Sequence, residues 1–213
     1  MAWSDTATQL ITQGGWVMVP LGILSVVSLG LTLERTLFWT ATHRAGRSRT
    51  LSRITNELRR GDLSAAASIA GKDRSIYGRF AAELIDEARS RKGDSGHNRV
   101  QESFALERAE ARRPAIERWS TIHSVIITAA PMLGILGTVT GIIRSFNLLS
   151  ADQIVTDPAA VAGGIAEALF TTAVGLVVAL ITLFPHAVFR SQADRALTRL
   201  ELIAAAIDEQ ASG

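Results

Sequence analysis

The chain has 213 residues, no cysteine, and 47% hydrophobic but only 6% aromatic side chains; its mean hydropathy of +0.22 sets it at the apolar edge of what a soluble domain shows. The lack of cysteine excludes disulfide frameworks, thiolate nucleophiles, iron–sulfur clusters and cysteine-type zinc sites, and four scattered histidines offer no metal site in their place. A formal net charge of +2 argues against a nucleic-acid binder held by phosphate neutralisation.

Residues 1–15 carry only Asp5, and no further Asp, Glu, Lys or Arg follows for 28 residues, until Glu34. The apolar part of this stretch defines a first predicted span at 16–39, long enough as a helix to cross ~30 Å of hydrocarbon. No Lys or Arg precedes it, so it reads as a retained anchor rather than a cleaved leader. Residues 40–118 are polar, with 17 basic and 11 acidic side chains. Within them Leu51, Ile54 and Leu58 recur at helical spacing up to a stop at Gly61-Asp62. A short alanine-rich helix is expected at Leu63–Ala70 and a third at 75–90. After a turn at Lys92–Gly96, a pattern through Val100, Phe104, Leu106 and Ala111 predicts one long helix from about His97 into the next span, with Pro114 in its path.

The second predicted span is 119–143, free of Asp, Glu, Lys and Arg, and a connection at 144–157 follows. In the third, 158–189, Glu167 is the only Asp, Glu, Lys or Arg. Three buried helices of a soluble bundle would show polar stripes, and these segments show none that is broad. The stripe Leu197, Leu200, Ile203, Ile207 carries the third helix on through 190–213. The expected fold is therefore all-α: three transmembrane helices, with spans two and three extended into a cytoplasmic helical stalk.

Lys and Arg flanking the spans set their orientation. Residues 40–118 have an excess of six positive charges, whereas 145–166 hold only Asp152 and Asp157. The segment 40–118 and the tail are thus expected in the cytoplasm, and 1–15 and 144–157 outside. Arg144 is out of pattern, and is expected to cap the last carbonyls of span two or to pair with Asp152. Trp16, Trp39 and Trp119 read as interface markers, and His123 and His186 are expected near the interface as well.

The chemistry lies inside the spans. Gly134, Thr138 and Gly141 share a side of span two, and small residues of this kind, with Gly137, Gly164 and Gly175, allow close helix contact in lipid. If the third helix starts near Pro158, Glu167 lies ~14 Å further in. An acid there costs about 3 kcal/mol even by lenient insertion scales, so it normally faces protein or water and serves a function. Helical geometry puts Thr171, four residues on, over Glu167 and turns Thr172 away. Hydroxyls can both donate and accept beside a protonating carboxylate. No Ser/His or paired-aspartate arrangement suggests an intramembrane hydrolase, so no enzyme activity is expected.

The blocks Pro131–Ile142 (PMLGILGTVTGI) and Gly163–Ala179 (GGIAEALFTTAVGLVVA), with the order of spans and loop, resemble the ExbB/TolQ/MotA proton-channel family, closest to ExbB and TolQ. The resemblance implies a subunit of a bacterial inner-membrane proton channel or motor, a homo-oligomeric ring, expected as a pentamer. The ring would surround the single transmembrane helices of an ExbD/TolR-like partner that carries a membrane aspartate. Proton motive force would become mechanical work on a TonB-like or TolA-like protein, with no cofactor. The family's pore-lining threonine in span two falls on Thr138, its membrane glutamate on Glu167 and its threonine in span three on Thr172. That choice differs from the helical wheel, so Thr171 and Thr172 both remain candidates for the ion pathway. The family's proline after the second block is shifted here, to Pro185. The competing reading is a non-conducting membrane scaffold of helical hairpins.

Overall fold

The computed structural model describes residues 15–42, 47–90, 105, 107–150 and 158–212. Among these there is no strand, and the chain forms helices α1 (Met18–Thr42), α2 (Arg47–Arg59), α3 (Leu63–Lys72), α4 (Ile76–Ser90), α5 (Arg113–Ile116), α6 (Ser120–Ser150) and α7 (Pro158–Ser212). Three are long and apolar enough to cross a membrane: Met18–Thr42, Ser120–Asn147 and Pro158–Ile207. The all-α fold and the long third helix are as the sequence predicts. The chain divides into two compact units, one formed by Met1–Glu34 and Trp119–Val188, the other by Arg35–Arg118 and Phe189–Gly213.

In the first unit, α6 and α7 form an antiparallel hairpin. Pro158, at the first position of α7, has no N–H to leave unpaired there. Pro131 and Pro185 lie within α6 and α7 without ending them. The start of α1 closes the bundle, with Val17, Met18 and Leu21 buried against Ile126, Ala130, Val178 and Ala179. Ser28 and Thr182 join α1 to α7 through a buried hydroxyl–hydroxyl bond of 2.6 Å. Much of the remaining apolar surface of the three helices faces outward, as with Val26, Leu33, Met132, Phe146, Leu169 and Phe184. Such surface suits lipid or a neighbouring copy.

The second unit has its own core. Ile54 and Leu58 of α2, Phe80 and Ile85 of α4, and Leu200 and Ile203 of α7 are all buried in one cluster. These include the stripes read from the sequence, because three-to-four spacing places them on one face of each helix. The predicted stop is there too. Gly61, at φ +79°, turns the chain after α2, and the Asp62 carboxylate caps α3 by accepting from the N–H groups of Ser64 and Ala65.

The approach to span two departs from expectation. Residues 97–104 of the predicted long helix lie outside the described residues, and beyond them the path is interrupted. Pro114 opens the short helix α5 rather than kinking a longer one. α5 ends at Ile116 with Glu117 as its cap, and Trp119 then takes φ +67°, a left-handed conformation after which α6 starts afresh at Ser120. The break leaves carbonyls without helical partners, and buried Arg35 serves them. Its guanidinium donates to the carbonyls of Arg118 at 2.7 Å and Ala115 at 3.1 Å and lies 4.9 Å from the ring centre of Phe38. Removing these charge-assisted bonds by Arg35→Ala is expected to cost about 3 kcal/mol, read as a lower melting temperature of the detergent-solubilised protein. Arg35→Lys should recover only part of the loss, since an ammonium lacks the planar fork that reaches both oxygens.

Candidate functional site

The hairpin seam brings most of the singled-out residues together, because glycines let two backbones approach closely. A methyl group on Gly134 would lie 3.0 Å from Cα of Thr172, on Gly141 2.8 Å from Cβ of Ala168, and on Gly175 2.5 Å from the Ala130 carbonyl oxygen. On Gly137 it would overlap the Thr171 side chain, and on Gly164 the Ser145 hydroxyl. The face of α6 turned to α7 is thus Gly134, Gly137 and Gly141, and Thr138 lies beside it rather than on it. The Thr138 hydroxyl donates within its own helix, to the Ile135 carbonyl at 2.6 Å.

The two candidate threonines of α7 are placed differently. Thr171 is buried, and its hydroxyl reaches the carbonyls of Ala168 at 2.7 Å and Gly134 at 3.2 Å. Thr172 is half-buried and donates to the same Gly134 carbonyl at 2.9 Å. One carbonyl of α6 therefore holds both hydroxyls. Thr171 is fixed inside the hairpin, whereas Thr172 keeps part of its surface open.

Glu167 is half-buried on α7, which does begin at Pro158. Its Oε1 lies 3.4 Å from a guanidinium nitrogen of Arg144, which lies inside α6 rather than capping its end, because the helix runs on to Ser150. Asp152, one of the two partners expected for Arg144, lies outside the described residues, and the pairing with Glu167 was not foreseen. The signal was present: a lone arginine on the side otherwise poor in basic residues. A second neighbour was also missed. Gly15, at φ +63°, passes so close that a Cβ there would sit 2.6 Å from Oε1 of Glu167. The carboxylate is thus flanked by the approach to α1, by α6 and by its own helix.

At the other end of this unit His123, near a span end, is buried among the helices. The Trp119 carbonyl, 3.0 Å from Nδ1, can only accept, so Nδ1 carries a proton. In the neutral ring Nε2 then accepts from the Thr32 hydroxyl at 3.4 Å. His186 stacks on His123 at 5.7 Å between ring centres. Among the described residues no cluster of three or more His, Asp or Glu side chains is suited to a metal.

Residues 72–202, which include both spans of the hairpin and both quoted blocks, match the MotA/TolQ/ExbB proton channel family. The ExbB-like 3 protein of Synechocystis sp. is 34% identical over 180 residues, covering 84% of this chain and 82% of that one. The chain belongs to the MotA/TolQ/ExbB proton channel family. Within it the similarity runs to ExbB. The ExbB-like 1 protein of the same Synechocystis strain is 34% identical over 180 residues, or 80% of this chain and 65% of its own length. The biopolymer transport protein ExbB of Salmonella typhimurium is 30% identical over 185 residues, or 83% and 72%. The chain is an ExbB-like, multi-pass membrane subunit of proton-channel type, a class associated with transport rather than with catalysis of a covalent reaction.

Proposed function

We propose that this chain forms a homo-oligomeric ring, a pentamer, in the bacterial inner membrane around the single-span helices of an ExbD/TolR-like partner. The ring converts proton motive force into work on a TonB-like or TolA-like protein that reaches across the periplasm. The amino terminus and the 144–157 connection face the periplasm, and 40–118 and the tail face the cytoplasm, following the excess of Arg and Lys. Glu167 is the proton-exchanging group, Thr138 and Thr172 line the water-accessible path, and Thr171 holds the hairpin from within.

The observation that carries this reading is Glu167 itself, half-buried beside the seam where one carbonyl orders two threonine hydroxyls. Charge moved through 100 mV yields about 2.3 kcal/mol per elementary charge, so a motor needs a titratable group screened from lipid yet reachable by water. The ion pair with Arg144 favours the scaffold reading instead, because a charge satisfied within its own hairpin needs no further role. Reconstitution decides between proton and sodium and tests conduction. Liposomes holding this chain and its copurified single-span partner should acidify along an imposed pH gradient. Flux that follows sodium and ignores pH, or no flux with the partner bound, overturns the proposal.

A further inference from the structure

The second unit contains a cavity of about 610 Å³ whose wall is split between charge and apolar surface. Arg74, Arg79, Arg108 and Arg112 stand on it, with Glu83 the one carboxylate among the described lining residues. Among these residues four positive charges against one negative leave an excess of three. Glu83 is already committed, since it forms an ion pair with Arg112, and Arg112 also lies 5.7 Å from the ring centre of Phe80. Asp73 borders the site, with its two oxygens accepting from the N–H and hydroxyl of Ser75. Arg74 and Arg79 are exposed, and among the described residues their guanidinium groups have neither an acidic nor a hydrogen-bond partner. Ser75 and Ile76, at the amino end of the 15-residue helix α4, complete this side. The positive end of a helix dipole adds to the attraction for an anion.

Apolar side chains share the lining, Phe38 and Ile116 among them. Phe38, Ala41 and Thr42 come from the final turns of α1, one of the three helices able to cross a membrane. A free phosphate would use the arginines and leave the apolar side chains wet. An amphiphile uses both, and the cavity is lined by the helix that would end at the headgroup level.

We propose that this cavity binds the phosphate of an anionic phospholipid of the inner leaflet, of the phosphatidylglycerol kind, with Arg74 and Arg79 as its principal ligands and the Phe38 side holding the glycerol and upper acyl carbons. The site goes beyond the proton pathway, and it rests on the proposed cytoplasmic placement of 40–118. Guanidinium groups suit it, because their planar donors match phosphate oxygens in pairs.

The test uses the full-length protein, delipidated in detergent and titrated with phosphatidylglycerol, phosphatidylcholine or inorganic phosphate, with native mass spectrometry and melting temperature as readouts. Phosphatidylglycerol should be retained and raise the melting temperature, and phosphatidylcholine should bind about tenfold more weakly or less. The double variant Arg74→Gln/Arg79→Gln should lose phosphatidylglycerol affinity by about tenfold or more while its lipid-free melting temperature stays that of the wild type. A control that removes equal charge elsewhere, Arg59→Gln/Arg60→Gln, should bind as the wild type does. Equal binding of the two lipids, unchanged binding in the Arg74/Arg79 variant, or equal loss in the control overturns the site. Stabilisation by inorganic phosphate without phosphatidylglycerol retention overturns the lipid assignment in favour of a free-anion site. None of these readouts depends on proton flux, so failure of the channel reading at Glu167 is seen separately.

Discussion

Glu167→Gln is expected to leave the proposed ring and partner assembled while reducing proton flux by about a hundredfold or more. The substitution keeps shape and hydrogen-bonding capacity but removes the group that can bind and release a proton. The site tolerates the change sterically, since the backbone of Gly15 abuts Oε1 and an amide oxygen can occupy the same position. Arg144 loses its ion pair, but it is largely exposed on α6, so the loss of stability should be about 1 kcal/mol or less. Copurification of the partner and gel filtration read assembly, and pH-dye quenching in liposomes reads flux. Undiminished flux would make Glu167 a structural carboxylate and favour the scaffold. Failure to assemble would give the ion pair with Arg144 a weight that its exposure does not suggest.

Gly137→Val should be the most damaging single change in the hairpin. Even a methyl group at this position would meet Oγ1, Cβ and Cγ2 of Thr171, and Thr171 cannot swing aside without giving up its bonds to Ala168 and Gly134. Overpacking of this kind costs about 1–3 kcal/mol. Separation of the two helices would also pull Thr172 from the Gly134 carbonyl. We expect little folded protein in the membrane fraction for Gly137→Val and a clear drop in melting temperature for Gly137→Ala. Adding Thr171→Ala to Gly137→Ala should recover part of that drop, because it removes two of the three overlapping atoms. A Gly137→Ala protein as stable as the wild type would mean that the seam is looser than these contacts imply.

Much of this fold was legible because membrane spans and helix stripes are written in local composition. Ile54, Leu58, Leu200 and Ile203 are buried at the spacing that predicts them, and Asp62 caps a helix at the stop read from Gly61-Asp62. Contacts between distant parts of the chain were not legible in the same way. Arg144 could be seen to be out of place, but nothing in its neighbourhood names Glu167, 23 residues away, as its partner. His123 illustrates a similar limit. Its position near a span end does not name its neighbours, Thr32 of α1 and His186 of α7, which pack against it and bury it. The interruption before α6 depends on a tryptophan with positive φ, a conformation that its residue type does not announce. The Thr171 and Thr172 pair needed both kinds of information, since helical angle describes one helix and the shared Gly134 carbonyl belongs to another.

The buried guanidinium that fastens the end of α1 to the carbonyls before α6 has a further consequence. Arginine stays protonated throughout the range in which carboxylates and imidazoles titrate. In the proposed proton-driven ring, such a clasp keeps its charge while the working groups gain and lose protons, and so can serve as a fixed point against which they move.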